Sequence, residues 1–497
     1  MPAVRRLRFT LLLTAILGSV GSLAAQQLPL SVPFSVDGVT YDGAVPKPDS
    51  VLGYRIGERH TRPDELVAYF EAVAEASDRV RLVEYGRSFE GRPLIAAIVT
   101  SADNQARLDR IQEANVRLSE TPSEVSDAEL ETMPVVAQFH YTVHGNEASG
   151  SEAAMLVLYH LAAGNGEPVE SILQHAVLII DPCINPDGRD RFVDWVNENG
   201  SPVGNPDPQD REHNEPWPGG RTNHYWFDLN RDWLPAQLPE SQGRLRLFHS
   251  WRPQVLLDGH EMGRDETFFF QPGIPDRSNP NTPKASQALT EKLSRYTARA
   301  LDRIGSLYFT KEQYDDFYYG KGSTYPDVNG AVGILFEQGS SRGLRVATTD
   351  GELSFGFGIR NHLAASLGML DGAVRMRKEL LANQRAFYST AIEASKTQPV
   401  RAWIFGSEED RTRSNELVRT LRRHRIVVYA LARKTSADGR QFVPGSAYVV
   451  PTGQRQFRLI KAAFERVDSF QDSVFYDVST WTLPLAFGVA NGSVTDD

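Results

Sequence analysis

The sequence predicts an α/β fold: one large mixed β-sheet covered by helices on both faces, followed by a smaller, partial α/β unit. Three observations predict it. Apolar runs alternate with amphipathic stretches from Pro63 to Phe336. Several of those runs are apolar throughout and end abruptly in polar residues, as buried strands of a largely parallel sheet do. The alternation then begins again after Val400.

The elements follow in order. Pro63–Ser77 reads as a helix, with proline at its start, acids in its first turn, and Leu66, Tyr69, Phe70 and Val73 on one face. Val80–Tyr85 and Leu94–Thr100 read as a hairpin around the loop 86–93. Pro134–His140 is a strand, Ser151–Leu161 a helix, and Ala176–Ile180, Val255–Asp258 and Val332–Phe336 are buried strands. Residues 197–224, rich in Pro, Gly, Asn and Asp, form a long loop, which in a compact domain is usually functional. The domains expected are an export signal (1–25), an extended arm (26–60), a catalytic domain (61–375), a helical linker (376–398) and a partial α/β domain (399–497).

Composition narrows the function. The 497 residues are 41% hydrophobic and 23% charged, a globular balance that excludes a wholly disordered chain or a multi-span membrane protein. Acids outnumber bases 63 to 53, a net charge of −10, which argues against nucleic acid as a partner. The single cysteine, Cys183, excludes an intrachain disulfide and a Cys-rich zinc knuckle. It reads as a buried small hydrophobe. A metal site must then come from His, Asp and Glu, with eleven histidines to search.

The N-terminus reads as a bacterial export signal. Arg5, Arg6 and Arg8 precede the apolar run Phe9–Leu23, and small residues surround Ala24 and Ala25. A membrane anchor is the alternative, but Gly18 and Gly21 interrupt a run already short for a span. No cysteine follows it, so a lipid anchor is excluded. Removal of residues 1–25 takes three arginines and no acid from the charge of −10, leaving −13. The protein is expected in the periplasm or the medium, with no stable membrane insertion.

Four segments carry chemistry. In Tyr141-Thr-Val-His144-Gly-Asn-Glu147, His and Glu stand three apart in a Gly-containing loop after a strand, a spacing that can bring imidazole and carboxylate to one cation. It lies where open α/β sheets gather ligands. Val255-Leu-Leu-Asp258-Gly-His260 ends a second strand in a histidine, for which a polar strand cap is the plain alternative. Phe336-Glu337 ends a third; a glutamate there is either a rim residue in water or a base sheltered from solvent. Phe227-Asp-Leu-Asn230-Arg231-Asp-Trp233 sets an Asn-Arg fork among aromatic residues, suited to an anion such as a carboxylate.

The order His-x-x-Glu, Asn185-Pro-Asp-Gly188, Asp-x-Asn-Arg, Asp-x-His, Phe-Glu resembles the carboxypeptidase A-like family of zinc metallocarboxypeptidases, over about residues 60–375. The loop Gly86-Arg-Ser-Phe-Glu-Gly-Arg-Pro93 is similar to that family's opening hairpin. The resemblance implies a carboxypeptidase-like fold and one zinc ion per chain, held by His144, Glu147 and His260. It implies Glu337 as general base, and Asn230 and Arg231 as the clamp on a peptide's free C-terminal carboxylate. An oxyanion arginine is expected between the Asn-Pro-Asp-Gly and Asn-Arg motifs; Arg221 is favoured, with Arg211 and Arg191 as rivals. A tyrosine is expected shortly before Glu337, and Tyr318, Tyr319 and Tyr325 offer themselves, with Tyr319 and Tyr325 taken as substrate-binding. Asn146 stands where the family commonly has arginine. The C-terminal unit resembles a class I glutamine amidotransferase-like domain of flavodoxin-like type, cut short; the part present lacks cysteine, which excludes amidotransferase chemistry in that part.

Other functions stay in view: a zinc deacylase or amidase, a peptidoglycan-trimming carboxypeptidase, and a peptide-binding protein without turnover. Gly339-Ser-Ser341-Arg-Gly343 also fits a serine-hydrolase elbow, but the residues after it read as loop where an elbow needs a helix.

Overall fold

The computed structural model describes residues 31, 32, 34–467, 469–472, 475 and 482–495. The segment read as an export signal lies outside the described residues. Among the described residues no helix is long and apolar enough to cross a membrane.

The large sheet has seven strands. Their spatial order is Val80–Arg87, Pro93–Val99, Ala176–Asp181, Val135–Tyr141, Val255–Met262, Val332–Gly339 and Phe268–Phe270. The four central neighbours from Ala176–Asp181 to Val332–Gly339 run parallel, and the outer pairings are antiparallel. This is the predicted mixed α/β architecture. Every residue of Val135–Tyr141 is buried, because helices cover both faces. Val135, Ala137, Phe139 and Tyr141 pack into one core with Ser149–Ala163 and Phe355–Arg375. Val136, Val177 and Ile179 pack into another with Leu108 and Ile111 of Leu108–Glu120 and Leu247 and Trp251 of Pro239–Trp251. The period-two alternation of a strand thus feeds two apolar layers instead of one.

Three expectations at the edges change. The arm packs down rather than extending: Thr40–Tyr41 pairs with Gly164–Asn165, Pro48–Leu52 is a short helix, and Val45 and Ile56 join the main core. The expected linker is not a tether. Arg377–Ser389 packs on Leu108–Glu120, with Leu381 buried against Leu118, and Arg377 donates to the carbonyls of Leu130 and Met133. The serine elbow is absent, because Ser341 leads into the hairpin Arg345–Thr348/Gly351–Ser354 and its Oγ donates to the Gly343 carbonyl.

The C-terminal unit corrects the flavodoxin-like expectation. Ala402–Gly406 lies between Ala447–Pro451 and Ala490–Val494, antiparallel to both, and Tyr429–Ala430 is antiparallel to Ala447–Pro451. A flavodoxin-like sheet is parallel. Here the chain leaves the helix Arg411–Arg423, passes through the hairpin Thr435–Ala437/Arg440–Phe442, and re-enters the sheet reversed. Strand-helix alternation is common to both arrangements, so the apolar pattern does not set strand direction. The unit sits against the large domain. His424 Nε2 lies 2.7 Å from the Leu234 carbonyl, Gln456 Nε2 donates to Asn329 Oδ1 (3.2 Å), and Arg458 donates to the Phe387 carbonyl (2.8 Å).

Candidate metal centre

The parallel strands place their carboxyl ends side by side. His260 and Glu337 are direct register partners on Val255–Met262 and Val332–Gly339. His144 and Glu147 follow Val135–Tyr141 in a turn closed by Glu147 N donating to His144 O (3.1 Å), just before the helix Ser149–Ala163. Gly145 is required there: a Cβ would stand 2.1 Å from Arg189 N and 2.6 Å from Gly220 O.

His144, Glu147 and His260 converge. His144 Nδ1 lies 2.8 Å from Glu147 Oε1, His260 Nδ1 lies 2.8 Å from Glu147 Oε2, and the two Nδ1 atoms are 3.2 Å apart. The three are buried, and their donor atoms all lie within 4.8 Å of one another. The outer nitrogens face carboxylates: His144 Nε2 is 2.9 Å from Asp228 Oδ1, and His260 Nε2 is 3.0 Å from Asp258 Oδ1. An ionised carboxylate only accepts, so His144 Nε2 donates to Asp228, and the Nδ1 atoms of both histidines face Glu147, where each could ligate a cation. Two imidazole nitrogens and a carboxylate sharing one small volume fit a divalent cation of the zinc type.

The electrostatics agree. Burial alone pushes Glu147 up, but His144 and His260 outweigh it and hold it well below the usual carboxylate range. Burial disfavours a charged His260, but Asp258 and Glu147 outweigh it and raise it well above the ordinary imidazole value. The site is built to contain positive charge. Glu337 behaves differently: burial, which His260 opposes and Glu147 and Asp258 reinforce, pushes it to about 8.

A cavity of about 270 Å³ opens over these groups, lined among others by Glu337, Arg221, Asn230, Arg231 and Tyr314. Wider surface clefts of about 470 and 540 Å³, lined by Arg62, Asp194 and Glu212 and by Lys292, Arg299 and Glu379, contain no metal-donor cluster among the described residues. Of the three candidate arginines, Arg221 alone lines the donor cavity. Its guanidinium lies 2.9 Å from Asp228 and 3.4 Å from Glu147, and its carbonyl accepts from Asn185 Nδ2 (3.1 Å). Arg191 is spent on the carbonyls of Gly219, Thr222 and Asn223, and Arg211 stacks on Trp195.

The two chosen tyrosines are corrected. Tyr325 is fully buried, its hydroxyl between His249 Nε2 (2.9 Å) and His424 Nδ1 (2.7 Å), with its ring on Trp233. Tyr319 is buried with its hydroxyl 3.0 Å from Thr282 Oγ1. Neither lines the cavity; both belong to the core under the C-terminal unit. Tyr314 is the tyrosine at the cavity, stacked 4.3 Å from Phe269 and with its hydroxyl toward Met262 Sδ (3.4 Å). Asn230 turns inward: Nδ2 donates to Asp258 (3.1 Å) and lies 2.9 Å from His260 Nε2, while Oδ1 accepts from Gly322 N (2.8 Å). It contacts both members of the His260–Asp258 pair, and Arg231 lines the cavity with its guanidinium donating to the Asn230 carbonyl (2.9 Å). Asn146 Nδ2 donates to Glu215 and does not face the donors' cavity. Sequence reasoning passed over Asp228, although it stands two residues before Asn230 in the same motif.

Two imidazoles and a carboxylate that could hold a metal ion thus share one cavity with a second glutamate and two arginines. Residues 66–264 match the family model described as zinc carboxypeptidase, and over this stretch the chain is similar to that family. No curated protein matches the chain. Among solved structures it is similar to the carboxypeptidase A of Helicoverpa armigera (18% identity, 67% of this chain and 80% of that one, TM-score 0.43). It is also similar to metallo-carboxypeptidases of Burkholderia cenocepacia (14%, 63% and 68%, TM-score 0.41) and Pseudomonas aeruginosa (15%, 63% and 68%, TM-score 0.41).

Proposed function

We propose that this protein is an exported carboxypeptidase that removes the last residue of a peptide, with one zinc ion held by His144, Glu147 and His260. The observation that carries the reading is the common cavity: Glu337, Arg221 and Arg231 line the same space as the three donors. Zinc bound there supplies Lewis acidity toward the scissile carbonyl and a lower pKa for attacking water. Glu337 takes the proton of the attacking water and passes it to the leaving amine, a task its sheltered position suits. Arg221 faces the oxygen on which negative charge develops. Arg231 holds the free carboxylate, and Asn230 acts on His260 as a positioning residue rather than as part of the clamp. Residues 61–396 form the catalytic domain in this reading, with Arg377–Ser389 included.

Metal analysis and digestion of a peptide library by the protein lacking residues 1–25 test the proposal. One zinc per chain with stepwise release of C-terminal residues is expected. Glu337→Gln should retain zinc and lose about 10²–10⁴-fold in turnover. Equal rates on free and amidated peptides would remove the exopeptidase reading. Hydrolysis of acylated amines without peptide cleavage would favour a deacylase.

A further inference from the structure

Five aromatic side chains stand in water beside the cavity. Phe89, Trp217, Tyr225, Trp226 and Phe227 are 42%, 77%, 57%, 56% and 58% exposed. Such rings normally carry the apolar payload of cores and interfaces. They come from the hairpin turn at 88–92 and the loop 215–228, and four of them form two touching pairs. Phe89 meets Tyr225 edge-on at 4.7 Å, and Trp217 meets Trp226 at 4.6 Å. His224 stacks edge-on to Tyr225 and reaches Glu90 across the two segments (2.9 Å).

The exposure is built into the backbone. Asn223 is fully buried, and its Oδ1 accepts from the amides of both Tyr225 (3.1 Å) and Phe227 (3.0 Å). Its own amide donates to the Phe227 carbonyl, and Trp226 N donates back to the Asn223 carbonyl. This closed turn holds Trp226 at φ +67°, a strained value for a bulky residue. A strained turn locked on a buried asparagine, turning three consecutive rings outward, is a preorganised display.

The same loop makes the cavity wall. Arg221 and Asp228 flank the aromatic run and pair across it at 2.9 Å. Glu215, two residues before Trp217, accepts from Gly220 N (2.7 Å), from Arg342 (3.1 Å) and from Asn146, the neighbour of Glu147. The run 225–227 is therefore anchored at the cavity on both sides, by Arg221, which lines it, and by Asp228, which contacts His144.

We propose that this rim is a subsite for apolar and aromatic side chains of a polypeptide substrate, two or more residues upstream of the bond that is cleaved. The proposal rests on the peptidase reading above. Ring geometry selects side chains over sugars: neighbouring planes meet at 55°, 84° and 90°. Those angles make notches for side chains, whereas a glycan stacks on broad coplanar faces.

The test compares two peptides that differ only in carrying Phe or Ser at the second to fourth positions upstream of the scissile bond. Wild type should prefer the Phe peptide in kcat/KM. Trp217→Ser/Trp226→Ser should reduce that preference about tenfold or more. Phe89→Ser/Trp217→Ser, which leaves the strained turn intact, should reduce it similarly and guards against loss of the loop. A preference that is absent from wild type, or retained by both variants, overturns the proposal. So does a neutral oligosaccharide that displaces the Phe peptide from the rim. Calorimetric binding of the Phe peptide to Glu337→Gln separates this idea from the peptidase reading. If wild type cleaves no peptide, that reading fails, while tryptophan-dependent binding still supports the rim and its absence overturns it.

Discussion

Replacing Asp228 separates the wiring of the metal centre from the stability of its loop. The carboxylate makes three contacts: His144 Nε2 at 2.9 Å, Arg221 at 2.9 Å, and the amide of Asn230 at 2.8 Å, which caps the turn Leu229–Arg231. The Arg221 pair is the weakest of them. Arg221's side chain is 47% exposed, and exposed pairs contribute up to about 1 kcal/mol. The cap contributes about 1 kcal/mol to folding. The His144 contact fixes a tautomer, and losing such a partner lowers metal affinity about 10–100-fold, or about 1.4–2.7 kcal/mol. Asp228→Asn keeps a cap acceptor and an acceptor for His144 but removes the charge; zinc should bind about tenfold more weakly. Asp228→Ala removes all three contacts, and affinity should fall about 100-fold. Competition against a chromophoric chelator at low and high salt reads both, since salt screens the Arg221 share and spares the sheltered imidazole. Wild-type affinity in Asp228→Ala would refute the assignment of the inward-facing Nδ1.

Other perturbations reach different links. Arg231→Ala should lower the preference for free over amidated C-termini about 10–100-fold, the loss expected for a charge-assisted hydrogen bond, as read from paired kcat/KM values. Tyr325→Phe should destabilise folding by about 1–3 kcal/mol, because His249 and His424 each lose a buried partner; denaturant midpoints check this. Half-buried Asp316 and buried Asp327 give a pH signature. Burial raises Asp316 to about 6, against the lowering effect of its hydrogen bonds with Asp327 and Thr324, and burial together with the charge of Asp316 raises Asp327 well above its ordinary value. Between the unfolded value of about 4 and those folded values, the native state holds more protons than the unfolded chain. The pair's contribution is therefore complete below about pH 4 and falls as pH rises through about 6. Asp327→Asn should flatten that fall relative to wild type in unfolding midpoints measured across this range, and an identical slope would contradict the pair.

What could be read in advance follows from burial. Val135–Tyr141, Val255–Met262 and Val332–Gly339 are apolar because helices cover both faces, so their polar ends stand out, and His144, His260 and Glu337 lie at those ends. Residues whose position depends on long chain reversals were not legible. In the run 314–325, Tyr314 faces the cavity and Tyr319 and Tyr325 face the core, an outcome set by the second unit packed behind them. Asn230 was read as a ligand-facing amide because its neighbour is arginine. Its inward turn depends on Asp258 and Gly322, 28 and 92 residues away in the chain. The reversed strand Ala447–Pro451 was missed because an apolar run carries no direction.

The contact between Tyr325 and His424 bears on the timing of assembly. Tyr325 stacks on Trp233, two residues beyond Arg231, and its hydroxyl is held on one side by His424 from the later unit. Leu459, Ile460 and Phe464 complete the same apolar cluster. A ribosome therefore makes every residue of the cavity long before it makes those that cover its rear wall. A chain released at Lys396 would present that aromatic wall to solvent. It should bind a hydrophobic dye strongly, and its Arg231 side should be loosely held, so nascent or clipped forms would be poor enzymes until the second unit seats.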